Sequence, residues 1–91
     1  MKYTLIETRK FQKDVKRCLK RGYPMLELKK ILRFLEETGT VPTSYRPHKL
    51  SGIYDGYWEC HIKPDWLLIW KIIEGELVLL LMGTGTHSDL L

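Results

Sequence analysis

The sequence predicts an α+β fold in the order β-α-α-β-β-β, with a two-helix hairpin packed on a mostly antiparallel four-stranded sheet. Three observations predict it. Two stretches with apolar residues at helical period lie back to back, separated only by Arg21-Gly22-Tyr23. Three apolar, β-prone runs, 57–62, 66–73 and 77–82, fill the last third of the chain. Finally, 91 residues with 44% apolar and 29% charged side chains suffice for one modest core, so residues 1–91 form a single domain.

Residues 2–6 (Lys-Tyr-Thr-Leu-Ile) are short and β-prone, an edge or central strand. Thr8 stands where a helix N-cap belongs, its hydroxyl free to accept from the first turn. Phe11, Val15, Cys18 and Leu19 follow as an apolar stripe, backed by Lys10, Lys13, Lys16, Arg17 and Lys20. Gly22 supplies the left-handed residue that ends this helix. Pro24 suits the first turn of the next, whose stripe is Met25, Leu28, Ile31, Leu32 and Leu35 and which closes at Glu36-Glu37-Thr38-Gly39. From Gly39 to Gly56 the pattern is irregular, punctuated by Pro42, Pro47, Ser51-Gly52 and Asp55-Gly56. Glu74-Gly75-Glu76 is a tight hairpin between the last two runs, which are nearly continuous in apolar residues and so covered on much of both faces.

The net charge of +4 conceals an asymmetry. Residues 1–33 hold 11 of the 15 Lys/Arg and 3 of the 11 Asp/Glu, a net of +8 against −4 for the rest. A basic N-terminal half points to an anionic partner, with nucleic acid ahead of other polyanions and a merely solvated helix face as the alternative. No apolar run approaches the roughly 18–20 residues that span a bilayer, and the start of the chain lacks a signal-peptide pattern. Cys18 and Cys60 show no CxxC spacing, so neither a metal knuckle nor a disulfide framework is indicated. The expected compartment is the cytoplasm.

The chemistry concentrates around residues 57–66. Along 57–62, Trp58, Cys60 and Ile62 alternate with Tyr57, Glu59 and His61. With the apolar set toward the helices, Glu59 and His61 face away from them, and Pro64 ends the strand beside Asp65 and Trp66. His48 lies upstream and His87 downstream, each beside a turn or polar segment. The three histidines lack compact metal-ligand spacing such as HExxH, which disfavours a zinc site. They suit metal-independent RNA cleavage better. That reaction needs a base for the 2′-hydroxyl proton, an acid for the leaving 5′-oxygen and donors for the phosphorane charge, and imidazole titrates near neutrality. A flanking aromatic such as Trp66 can stack a base.

Four segments then carry a family resemblance: Phe11-Gln12-Lys13-Asp14-Val15-Lys16, His48-Lys49-Leu50-Ser51-Gly52, the run from Glu59 to Ile69, and Thr84-Gly85-Thr86-His87-Ser88-Asp89-Leu90. Together they resemble the YafQ branch of the RelE-like toxins over essentially the whole chain. The resemblance implies a type II toxin that enters the ribosomal A site and cuts mRNA without a metal or other cofactor. It also implies a cognate antitoxin that wraps and blocks the toxin. Carried over, His48, His61, Asp65 and His87 match the catalytic set and Trp66 the substrate-contacting aromatic. Asp65 and His87 are the acid/base candidates, while His48 and His61 orient RNA and stabilise charge.

Two positions depart from the pattern. The family places an Arg four residues before its tail histidine, where this chain has Gly83, and an aromatic is common where it has Leu91. Losing one transition-state donor typically costs on the order of 10²–10³ in rate. Arg46, Lys49 and Lys63 are the substitutes for that charge within the sequence neighbourhood. The alternative is a catalytically weakened or non-catalytic homologue that binds the ribosome and antitoxin. A gyrase poison on the same fold is disfavoured, since that branch uses no histidine cluster.

Overall fold

The computed structural model describes residues 2–73 and 75–90. Glu74 of the expected hairpin and the terminal Leu91 lie outside the described residues. Strand β1 (Thr4–Glu7) leads into helix α1 (Arg9–Lys20) and helix α2 (Met25–Thr38). Strands β2 (His48–Lys49), β3 (Trp58–Lys63), β4 (Trp66–Ile73) and β5 (Val78–Gly85) follow, and a single-turn helix α3 (His87–Leu90) closes the chain. The sheet order is β1-β5-β4-β3-β2; β1 pairs with β5 in parallel and the other pairs are antiparallel. The sheet thus has a fifth strand beyond the four expected, the two-residue β2, which exists only through its pairing with β3.

Local chemistry accounts for the helix ends. Thr8 caps α1, its hydroxyl accepting from the Phe11 N–H. At the other end the N–H of Gly22, at φ 79°, donates to Leu19 O, and that of Tyr23 to Cys18 O. This is the paired closure in which a left-handed residue satisfies the last carbonyls. Pro24 is the N-cap of α2 rather than a residue of its first turn.

Trp70, Phe11, Ile31, Leu35, Leu68, Leu79 and Leu81 form the centre of the core between the helices and one sheet face. The α1 stripe differs from expectation at two positions. Leu19 is 60% exposed, whereas Asp14 is only 4% exposed. Phe11, Asp14 and Cys18 share the inward face at spacings of three and four, and Leu19 falls at its edge.

One irregularity positions the tail. Trp70 pairs with Leu81 but Ile69 pairs with Gly83, so Met82 is an extra residue, a β-bulge in β5. Beyond it Thr84 pairs with Leu68 and is fully buried, while Gly83 joins the face of Ile69, at the edge where α1 side chains reach round β5.

Candidate active site

The sheet face opposite the helices carries two transverse rows, because directly paired residues share a face. His48, Glu59, Ile69 and Gly83 form the first across β2, β3, β4 and β5; His61, Leu67 and Gly85 form the second. The His48 and His61 rings stand 6.2 Å apart at 31°. His48 Nε2 lies 3.2 Å from Glu59 Oε1, and its Nδ1 lies 2.9 Å from the Arg46 carbonyl. The carbonyl can only accept, so Nδ1 carries a proton, and Nε2 faces the Glu59 carboxyl. Arg46 holds its carbonyl there from a left-handed conformation, φ 54°, which for a side-chain-bearing residue costs about 1–2 kcal/mol.

Glu59 is 6% exposed, and its second oxygen, Oε2, has no hydrogen-bond partner among the described residues. A buried carboxyl needs a polar partner, and His48 is the one that reaches Glu59. His61 Nδ1 lies 3.3 Å from the Pro64 carbonyl. That oxygen can only accept, so Nδ1 holds the proton and Nε2 is left for a ligand. Arg46, His61, Lys63 and Pro64 line one open cavity of about 400 Å³. Asp65 is exposed in the two-residue turn that joins β3 to β4.

The tail is fastened by its own capping box and by α1. The Thr86 hydroxyl accepts from the Asp89 N–H, and Asp89 Oδ2 accepts from the Thr86 N–H. The Asp89 carboxylate also takes Arg21 through both guanidinium nitrogens, at 2.6 and 3.2 Å, with Arg17 at 3.7 Å. The Arg21 guanidinium, aided by the Thr86 amide, holds the Asp89 carboxyl well below the usual carboxylate range, and Asp89 in turn raises Arg21. His87 is exposed on the first residue of α3. Leu67 is flanked by His61 and Gly85, so the chain leaves the sheet towards His87 two strand spacings from His61, about 10 Å.

Gly83 has its own surroundings. Asp14 Oδ2 accepts from the Thr84 N–H at 3.2 Å and from Lys10 Nζ at 2.8 Å, and Asp14 Oδ1 meets Arg17 at 3.2 Å. A Cβ added at Gly83 would stand 2.9 Å from Asp14 Oδ2, 3.0 Å from Lys10 Nζ and 3.2 Å from the Leu90 side chain.

Residues 3–91 match the family described as the YafQ toxin, a bacterial toxin of type II toxin–antitoxin systems. The chain belongs to the YafQ family. It is 38% identical over 81 residues to the mRNA interferase toxin YafQ of Escherichia coli K12, covering 88% of this chain and 86% of that protein. The toxin in a crystal structure of the E. coli DinJ–YafQ toxin–antitoxin complex superposes with a TM-score of 0.87 at 33% identity, covering 99% of this chain and 98% of that one. A metal-bound toxin from Helicobacter pylori gives 0.86 at 35% identity over 100% of both chains.

Within this YafQ-family site, the predicted residues separate by face. His48 and His61 come together, and Arg46 and Lys63 share the cavity beside His61. Trp66 is packed into the core, and it also lines a cavity with Tyr23, Pro24, Lys63 and Asp65. It is 2% exposed, its ring packs edge-on to Tyr23 at 4.9 Å, and its Nε1–H donates to Thr84 Oγ1. Lys49 alternates with His48 and so faces the other way, its ammonium 5.7 Å from the centre of the Trp58 ring. Lys63 is partly engaged, with Glu27 at 3.5 Å. None of Arg46, Lys49 or Lys63 is among the nearest neighbours of the Gly83 position. Sequence reasoning missed Glu59 as the partner of His48, and Lys10 and Asp14 as the neighbours of Gly83. The signal for Asp14 was its place on the apolar stripe between Phe11 and Cys18.

Proposed function

We propose that this chain is an mRNA interferase, a ribosome-dependent endoribonuclease that inhibits translation and is silenced by a cognate antitoxin. The observation that carries the reading is the pair of rows on the face opposite the helices, which sets the His48–Glu59 pair against His61 and leaves a nitrogen of His61 free. In the proposed reaction a base takes the proton of a ribose 2′-hydroxyl, whose oxygen attacks the adjacent phosphorus. The bond to the 5′-oxygen breaks, and an acid supplies its proton. Asp65 and His87 are assigned the acid/base work. His48, paired with Glu59, and His61 steady the phosphorane, with Arg46 and Lys63 guiding RNA into the cavity they share with His61.

The steps as written use no metal. Lys13, Lys16 and Lys20, exposed on α1, supply phosphate contacts to ribosomal RNA, so ribosome affinity should fall steeply with salt. The DinJ complex of the E. coli relative supports an antitoxin as the protein partner. No helix among the described residues is long and apolar enough to cross a membrane.

Primer extension on a translated mRNA tests the reading. Cleavage appears with the unsubstituted protein and is lost in His87→Ala and Asp65→Ala, both of which still bind antitoxin. Undiminished cleavage and growth arrest in both variants refutes the assignment.

A further inference from the structure

A carboxylate on the buried face of α1 is expensive to desolvate and persists only where partners surround it. Asp14 has three: Lys10, Arg17 and the Thr84 N–H. The two cations differ in what they have left to offer. Arg17 is committed on several sides, bridging Asp14 and Asp89 and reaching the Thr84 carbonyl at 3.3 Å. Lys10 has Asp14 as its one partner among the described residues, its side chain is 60% exposed, and an ammonium has three donors of which one is used.

The direction of that ammonium is what matters. It stands 3.0 Å from where the Cβ of residue 83 would be, at the β5 end of the row that begins with His48 and Glu59. Lys10, Tyr54, Ile69, Met82, Gly83 and Leu90 line a cavity of about 100 Å³ there. The glycine keeps it open, since any larger residue at 83 must push aside the Lys10 ammonium or Asp14. An aimed cation above a bare backbone, at the rim of a face carrying two histidines, is a seat for one anionic group of a ligand lying across the rows.

We propose that Lys10 is a substrate-binding cation of this site. Its ammonium, aimed by Asp14 across the gap left by Gly83, takes a non-bridging oxygen of an RNA phosphodiester. The inference rests on the endoribonuclease reading and deepens it, because it supplies charge where the phosphorane gains a negative charge over the ground state. Lys10 comes from α1, 73 positions before Gly83, so the cation and the gap it fills lie at opposite ends of the chain.

Primer extension on a translated mRNA, with a thermal melt on each protein, decides it. Lys10→Gln is expected to lower cleavage by about 10²–10³-fold, the usual loss for one transition-state donor. It should remain folded, because Asp14 retains Arg17 and the Thr84 N–H. Lys10→Arg should recover most of the loss, since charge and not Asp14 packing is the cause. Gly83→Arg placed in the Lys10→Gln protein returns a cation to the same place and should also restore cleavage. Lys10→Gln cleaving within about threefold of the unsubstituted protein, while His87→Ala is inactive, overturns the role of Lys10 and leaves the endoribonuclease reading standing. Absence of cleavage by the unsubstituted protein overturns both.

Discussion

Replacing Asp14 by alanine is expected to destabilise the protein by about 2–3 kcal/mol. The largest contribution is the Thr84 N–H, which lies in the core and donates to Asp14 Oδ2 at 3.2 Å. Left without an acceptor, such a group costs about 1–3 kcal/mol. The contacts to Lys10 and Arg17 are partly exposed on the cation side, so each adds only about 0–1 kcal/mol. Relief of the desolvation of the carboxylate itself offsets part of the loss. At about 4–8 °C per kcal/mol for a domain of this size, the melting temperature should fall by about 10–20 °C. Asparagine keeps an acceptor for the Thr84 N–H and gives up only the charge, so Asp14→Asn should lose about half as much or less. Urea denaturation followed by circular dichroism measures both. An alanine variant within about 0.5 kcal/mol of the parent, or an asparagine variant as damaged as alanine, refutes the reasoning that the amide and not the ion pairs dominates.

The remaining predictions concern pH and thiols. Because the Asp89 carboxyl is depressed by Arg21, its fastening of the tail is fully present above the ordinary aspartate value of about 4 and is lost as pH falls towards its lower folded value. Amide-exchange protection over 86–90 should therefore drop on acidification below about pH 4. Asp89→Asn should weaken protection at neutral pH and flatten that acid dependence; an unchanged acid profile in the variant argues against the clamp. Burial pushes the Cys60 thiol up to about 12 and raises Cys18 as well, and both side chains are fully buried. Iodoacetamide at pH 8 should leave the native protein unmodified by mass and label both cysteines in denaturant; rapid labelling of the native protein contradicts the packing described.

Periodicity was enough to locate most of the fold. The stripe of α2, the alternation of Trp58, Cys60 and Ile62 against Glu59 and His61, and the Thr8 and Gly22 helix ends all follow from side-chain spacing and backbone preference, which are local properties. Strand β2 is different, for two residues have no period, and His48–Lys49 become a strand only because β3 offers them partners. Parity places two of the candidate residues. Trp66 shares its face with Leu68 and Trp70 at i+2 and i+4, which sends it to the helices, and Lys49 is one residue out of phase with His48. What no local pattern carries is the approach of Lys10 to Gly83. It depends on α1 packing beside the end of β5 past the last β1 pair, Glu7 with Leu81, and on a shift in strand register.

That shift makes chain length a functional variable in β5. Met82 is one residue more than the pairing with β4 requires, so every side chain beyond it faces opposite to what simple alternation assigns. Thr84 turns inward to receive the Trp66 indole N–H, and the bare backbone of Gly83 turns outward beneath Lys10. A chain one residue shorter there could keep every histidine, lysine and aspartate and still present the wrong ones, because evenness or oddness, unlike side-chain chemistry, has no conservative replacement. Between Leu81 and His87 the residue count itself helps build the candidate site.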